Sequence, residues 1–389
     1  MRIAIVSEVS LSAVDGVVTR LSRTLEEFGA AGNDAIMVAP AGGPTECAGI
    51  PVIGVPEVRM PLYPDGEGYP AKRVALPGFT LRRALKEFRP DVIHAINPIL
   101  LAAGAVAYAN QKEIPLVASY HAHLPTYAHL YHCGWLEPAG WRYIRRLHNS
   151  AQVNLATSNA TLGCLEEHGI ERLALWPYGI ETDRFHPRMG SAQWRERLSG
   201  GRGDRPLLLY VGRLAKEKTV ERLLEAVSGR DDLTLAIVGD GPIRDELEEL
   251  FAGTPTVFHG FLGGDELAHA YASADLFLLP SDTETLGFVT LEAHAAGLPV
   301  IAADSPAARE LIEVGVDGFR YDPCQPGELR GAVDRVLADE LLRVRMSVAA
   351  RESVSGATWR HATDTLKDFY ALAAERAHTV PPAPALRAA

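Results

Sequence analysis

The chain has 389 residues, a net charge of −11, 47% hydrophobic and 22% charged residues. That length exceeds what one core usually holds and predicts two domains, while the balanced composition excludes a disordered chain. The acidic charge argues against a nucleic-acid partner, no apolar run reaches a bilayer span, and Cys47, Cys133, Cys164 and Cys324 lie too far apart for zinc-site spacing.

The start, Met1 to Val6, reads as a buried strand and lacks the pattern of a signal peptide, so a cytoplasmic protein is expected, with at most peripheral contact at the inner face of the membrane. Aliphatic runs then alternate with helical periodicity, the pattern of βα units feeding parallel sheets. The spacing predicts strands at 2–7, 34–39, 91–95, 115–119 and 152–157, with helices at 17–31 and 80–88. The Gly- and Ser-containing stretch 188–205 reads as a linker. A second series follows, with strands at 206–212, 233–238, 256–259, 275–279 and 298–302 and helices at 219–227, 243–251, 265–272 and 287–296. The last helical pattern, 357–377, precedes a Pro-containing tail, 378–389, expected to be disordered. The fold class is α/β: two Rossmann-like domains, 1–188 and 189–356, facing each other across a cleft.

The most informative stretch runs from Ser281 to Val300. It leaves a buried strand and opens a helix near Gly287, so unpaired amides there form an anion site that a glycine lets a ligand approach. Glu284 precedes the helix and Glu292 lies about two turns inside it, placing them to reach two hydroxyl-bearing parts of one ligand. Neutralising a diphosphate also requires cations, and Arg213 and Lys218 follow the first strand of the same series. Gly239, Asp240 and Gly241 form another strand-end turn. Each residue by itself has an ordinary reading as a cap, a solvated charge or a turn glycine. Their joint placement at the C-terminal ends of one sheet's strands is what points to a ligand site.

The strings Val211-Gly212-Arg213-Leu214 with Lys218, Val238 to Pro242, and Glu284-Thr285-Leu286-Gly287-Phe288 with Glu292-Ala293 resemble the retaining glycosyltransferase family 4, of the GT-B fold. The resemblance implies that Glu284 contacts the donor sugar, Glu292 the ribose, Arg213 and Lys218 the diphosphate, and the Leu286 and Gly287 amides the distal phosphate. In the first half, Asp91 to Pro98 and Ser119 to Tyr127 resemble the branch containing sulfolipid synthases and GDP-mannose-dependent mannosyltransferases. By the same resemblance His121 lines the sugar pocket, and the loop holding Asp15 and Gly16 approaches the diphosphate and the acceptor. Tyr120 and Tyr127 are further acceptor-side candidates. The aromatic segment from Tyr120 to Tyr143 reads either as an acceptor lid or membrane-facing wall, or as a packed helix pair. Arg82-Arg83 and the Arg142, Arg145 and Arg146 cluster can meet anionic headgroups or simply be solvated. His94, His121 and His123 also admit a metal-cluster reading, which lacks a nearby carboxylate.

The implied activity is transfer of a sugar from a UDP- or GDP-sugar to an acceptor, with no metal or other cofactor. The sequence contains no Asp-x-Asp, and Arg213, Lys218 and the helix terminus can stabilise the leaving diphosphate. A small-molecule acceptor is preferred. The alternatives are a glycolipid synthase acting on a diacylglycerol-type lipid, a nucleotide-sugar 2-epimerase, and a binding protein without turnover. A dehydrogenase is disfavoured because the first strand leads into Ser7-Glu8-Val9-Ser10, not a Gly-x-Gly-x-x-Gly turn.

Overall fold

The computed structural model describes residues 1–12, 16–59, 73–121, 134–284 and 286–377. They form two compact units: one runs to Gly179 and resumes at Trp359, and the other spans Ile180–Thr358. A side chain on Gly179 would lie 2.5 Å from the Trp359 backbone nitrogen, so glycine there lets the departing and returning chain pass in contact. The crossing thus precedes the stretch predicted as a linker. That stretch contains a helix, Ala192–Leu198, because Ser191 Oγ accepts the Trp194 N–H at 3.2 Å and caps it. The tail 378–389 lies outside the described residues.

In the first unit the strands are β1 (Ile3–Ser7), β2 (Ala35–Pro40), β3 (Glu46–Cys47), β4 (Ile50–Val55), β5 (Glu57–Arg59), β6 (Arg73–Ala75), β7 (Val92–Ile96), β8 (Leu116–Tyr120), β9 (Val153–Ala156) and β10 (Leu173–Leu175). The main sheet has the order β10-β9-β8-β7-β1-β2-β4-β3 and is parallel apart from the β3–β4 pair; β5 and β6 pair separately. β1, β7 and β8 are buried along their whole length, which explains their unbroken aliphatic character. The helix Trp359–Ala377 belongs to this unit. Its Leu366, Tyr370 and Ala373, spaced to share one face, join Ile3, Ile5, Leu21, Leu25, Phe28 and Trp176 in one core.

The second unit holds β11 (Leu207–Val211), β12 (Thr234–Val238), β13 (Thr256–Gly260), β14 (Leu276–Leu279), β15 (Val300–Ala303) and β16 (Gly318–Tyr321), parallel throughout in the order β13-β12-β11-β14-β15-β16. Each sheet therefore reverses its strand order beside its first strand, between β1 and β7 and between β11 and β14. In open α/β sheets ligands bind at the C-terminal strand ends beside such a reversal.

Candidate active site

In the second unit the loops leaving β11 and β14 flank the reversal. The segment after β11 was expected to enter a helix at 219; instead Thr219 takes the left-handed conformation, with φ 47°, and separates two 3-10 turns, Lys216–Lys218 and Val220–Leu223. The irregularity ties the loops together. Thr219 Oγ1 and Arg222 Nη1 each donate to the Pro280 carbonyl at 2.9 Å, and Thr283 Oγ1 donates to the Glu217 carbonyl at 3.0 Å. Lys218 and Glu284, far apart in sequence, consequently meet as an ion pair, Nζ to Oε1 2.5 Å. Arg213 pairs with Glu217 on its own loop. Both cations are partly exposed, so an incoming polyanion can exchange for their carboxylate partners.

Gly287 has φ 80° and precedes the helix Phe288–Ala295. Its carbonyl accepts the Thr290 amide, while the Leu286 and Gly287 amides have no acceptor among the described residues. The Leu286 side chain is buried, which anchors the turn. From this helix Glu292 projects into a mostly enclosed site, where Tyr271 Oη donates to its Oε2 at 2.8 Å. Burial pushes the Glu292 carboxyl up to about 7 against the pull of that bond, and Glu181 adds to the rise.

Gly239, Asp240 and Gly241 pack backbone to backbone on the β11 loop. A Cβ on Gly239 would sit 1.9 Å from the Gly212 carbonyl oxygen, and one on Gly241 would sit 2.0 Å from that of Leu214. Close backbone packing is therefore the reason for glycine at both positions. Asp240 accepts the Gly241 amide at 2.8 Å and pairs with Arg244.

In the first unit His121 follows β8 and is buried. Its Nε2 lies 2.8 Å from Ser119 Oγ, and its ring meets Trp176 edge-on, centroids 5.7 Å apart. Desolvation, then the proximity of Arg20, His94 and His148, holds its pKa well below the usual imidazole range, so the ring is neutral at physiological pH. His94 lies within β7, fully buried, with Nδ1 2.9 Å from Tyr370 Oη and Nε2 3.0 Å from Ser119 Oγ, both nitrogens thus engaged in hydrogen bonds. Among the described residues no cluster of three or more His, Cys, Asp or Glu side chains is arranged to hold a metal.

Tyr120 corrects an expectation. Its ring is 1% exposed, stacks on Trp141 at 6.0 Å and packs among Ile144, Ala156, Leu165 and Ile170, so it fills the core and does not face an acceptor. Of the aromatic segment, the described part supports the packed-helix reading at Trp141, while Trp135 stays exposed. Gly16 is the first residue of the helix Gly16–Ala30; Asp15, Tyr127 and His123 lie outside the described residues.

One part-buried charge and one fully buried charge escaped the sequence reading. Glu8 accepts four amides, from Ile99, Leu100, Leu101 and Ala102, at 2.7–3.1 Å. Arg20 lies on the buried face of the helix Gly16–Ala30, its guanidinium 4.6 Å from the Trp176 ring centre and Nη1 donating to the Trp176 carbonyl at 3.1 Å. Desolvation lowers it to about 9. The signal was present: Arg20 falls in helical phase with Thr24 and Phe28 on the otherwise apolar face.

The model of Glycosyltransferase Family 4 matches residues 14–184, and that of Glycosyl transferases group 1 matches residues 193–353. The chain is 36% identical to the sulfoquinovosyl transferase SQD2 of Arabidopsis thaliana over 94% of its own length and 72% of the relative's. It is also 36% identical to a GDP-mannose-dependent alpha-mannosyltransferase of Corynebacterium glutamicum, over 95% and 89% of the two chains. Among solved structures, the sucrose-phosphate synthase of Thermosynechococcus elongatus aligns with a TM-score of 0.79 at 20% identity, covering 95% of this chain and 98% of that one. Anabaena Alr3699/HepE, in complex with UDP and glucose, aligns at 0.76 and 19% identity, covering 95% and 99%. Fold and relatives together define a GT-B glycosyltransferase that uses a nucleotide sugar. The chain belongs to glycosyltransferase family 4.

Proposed function

We propose that this enzyme transfers a sugar from a UDP- or GDP-sugar with retention of configuration and without a metal. The observation that carries the reading is the Lys218–Glu284 ion pair, held with Arg213 beside the reversal in the second sheet. In this reading Lys218 and Arg213 turn from their carboxylates to the diphosphate and stabilise the charge that grows on it as the sugar departs. The Leu286 and Gly287 amides add the helix-terminal share. Glu284, released from Lys218, accepts a hydroxyl of the sugar, Glu292 accepts the ribose hydroxyls, and Asp240 with its two glycines shapes the nucleoside side. Retention is taken from the family: the departing phosphate oxygen accepts the acceptor's proton on the same face. His121 hydrogen-bonds the sugar, and Gly16, with Asp15 and Tyr127, serves the donor and acceptor ends of the first unit.

The acceptor is a small hydroxylated molecule in the reading the sequence favours. A second reading, a diacylglycerol-type lipid met at the inner face of the membrane, is favoured by one observation. Phe79 and Trp135 are 80% and 78% exposed on segments that also carry Arg82, Arg83, Arg142, Arg145 and Arg146. No described helix is long and apolar enough to cross a membrane, so such contact would be peripheral.

Thermal stabilisation by a panel of UDP- and GDP-sugars identifies the donor, because a ligand that binds the native state raises its stability by mass action. Transfer is then followed with and without EDTA. Unchanged transfer in EDTA is the expected result; loss of transfer restored by magnesium or manganese would refute the metal-free proposal. Sedimentation with anionic vesicles separates the two acceptor readings.

A further inference from the structure

A buried chain of polar groups connects the terminal helix to His121. Tyr370 Oη lies 2.9 Å from His94 Nδ1, His94 Nε2 lies 3.0 Å from Ser119 Oγ, and Ser119 Oγ lies 2.8 Å from His121 Nε2. Tyr370, His94 and Ser119 are inaccessible to solvent. Trp176 packs against both imidazoles, with centroids 5.5 Å and 5.7 Å away, so neither ring turns freely.

The protons in this chain can be counted. The Tyr370 hydroxyl carries one proton and, among the described residues, meets no acceptor but His94 Nδ1. A buried hydroxyl left without its acceptor costs about 1–3 kcal/mol, so Tyr370 donates. Burial holds the His94 pKa at about 3, so this imidazole is neutral and its single ring proton must lie on Nε2, donated to Ser119 Oγ. Ser119 has one proton of its own, and the remaining acceptor is His121 Nε2. A neutral His121 whose Nε2 accepts must carry its proton on Nδ1. The opposite sense would leave the Tyr370 proton without an acceptor.

We infer that Tyr370 is a positioning residue, acting through His94 and Ser119 to fix His121 as the Nδ1–H tautomer, so that His121 donates a hydrogen bond to an oxygen of the bound sugar. The inference rests on the proposed contact between His121 and the sugar. It assigns the terminal helix a task besides packing: Leu366 and Ala373 seat it in the core, and that seating sets the sense of every hydrogen bond up to the ligand.

Long-range proton–nitrogen NMR of protein labelled at histidine tests this without reference to activity, since protonated and bare ring nitrogens differ widely in shift. The expected wild-type signature for His121 is a protonated Nδ1 and a bare Nε2. Tyr370→Phe, which keeps the ring and removes the hydroxyl, should move the His121 signals toward a mixture of tautomers. Ser119→Ala should do the same and serves if the first variant fails to fold. A protonated Nε2 in the wild type, or an unchanged His121 signature in a folded variant, overturns the inference. With the sugar donor, kcat of Tyr370→Phe should fall about three- to tenfold, while affinity for the free nucleoside diphosphate stays unchanged. A changed tautomer with unchanged kcat and KM would uphold the relay and refute the sugar contact assigned to His121.

Discussion

In the first unit the loop after β1 carries Glu8, whose carboxylate takes four amides at the start of the helix Leu101–Lys112, the helix that follows β7. In the second unit the equivalent loop, after β11, carries Arg213 and Lys218, and the helix that follows β14 begins at the Leu286 and Gly287 amides, which have no acceptor among the described residues. Both sheets reverse their strand order at this place. One unit fills the position with an anion of its own, and the other places cations and amides there, which in the proposed reading meet an anion from outside. The same backbone geometry therefore supports a structural role or a binding role, according to which side chains end the first strand.

The largest effect that can break this comparison is on transfer. Lys218→Ala or Arg213→Ala should each remove a charge-assisted contact of about 1.5–3 kcal/mol, lowering kcat/KM roughly ten- to a hundredfold. Their melting should change little, because partly exposed ion pairs contribute little to stability. Glu284→Ala sharpens the point: it frees Lys218, so free nucleoside diphosphate should bind as well as before or better while transfer of the sugar drops. Steady-state kinetics and calorimetric titration check both statements. A Glu284→Ala enzyme that loses affinity for the free diphosphate in proportion to turnover would mean the pair was wrongly read.

A smaller effect is expected on stability in the other unit. Glu8→Ala leaves four helix-terminal amides without their carboxylate and should cost about 1–3 kcal/mol in denaturant unfolding. Nucleotide affinity should not change. If Glu8→Ala instead weakened nucleotide binding with an unaltered unfolding curve, the two helix starts would not differ in the way described.

How much of this could be read from the chain depends on the kind of interaction. β1, β7, β8, β11, β12 and β14 were legible because strands buried on both faces must be continuous aliphatic runs. The helix Phe288–Ala295 and its flanking carboxylates were legible because glycine, strand end and charge fall within one short segment. The 3-10 turns around Thr219 were not, since bonds to Pro280 and Glu217 impose them from a distant loop. Nor were short edge strands such as β10 and β16, whose existence depends on the neighbour they pair with. The Tyr370–His94–Ser119–His121 chain joins one residue from each of three elements with the residue that follows β8, and the β7–β8 register and the docking of the terminal helix bring them together. Tyr120 failed for the converse reason: proximity in sequence to His121 says nothing about which face a strand residue takes, and alternate residues point to opposite sides.

The smallest effect concerns Glu292 and is visible only against pH. Its carboxyl, ordinarily near 4.5, is pushed up to about 7 by burial, so between those values the folded protein holds a proton there that the unfolded chain has lost. The contribution to stability is full below 4.5 and is lost as pH rises through 7. Glu292→Gln, neutral at every pH, should therefore gain stability relative to the wild type between about pH 5 and about pH 8. Binding should run the other way. Ribose hydroxyls donate more strongly to a carboxylate than to a neutral acid, by about 1 kcal/mol, so wild-type affinity for the nucleoside part should improve roughly fivefold on passing from about pH 6 to about pH 8. The diphosphate also titrates near this range, so the informative quantity is the ratio of wild-type to Glu292→Gln affinity at each pH, in which the ligand's own ionisation cancels. That ratio should rise with pH while the relative stability of the wild type falls. A ratio that stays flat across the range would show that Glu292 does not accept from the ribose, and its raised pKa would then reflect only its enclosure and the nearby Glu181, with the Tyr271 bond opposing both.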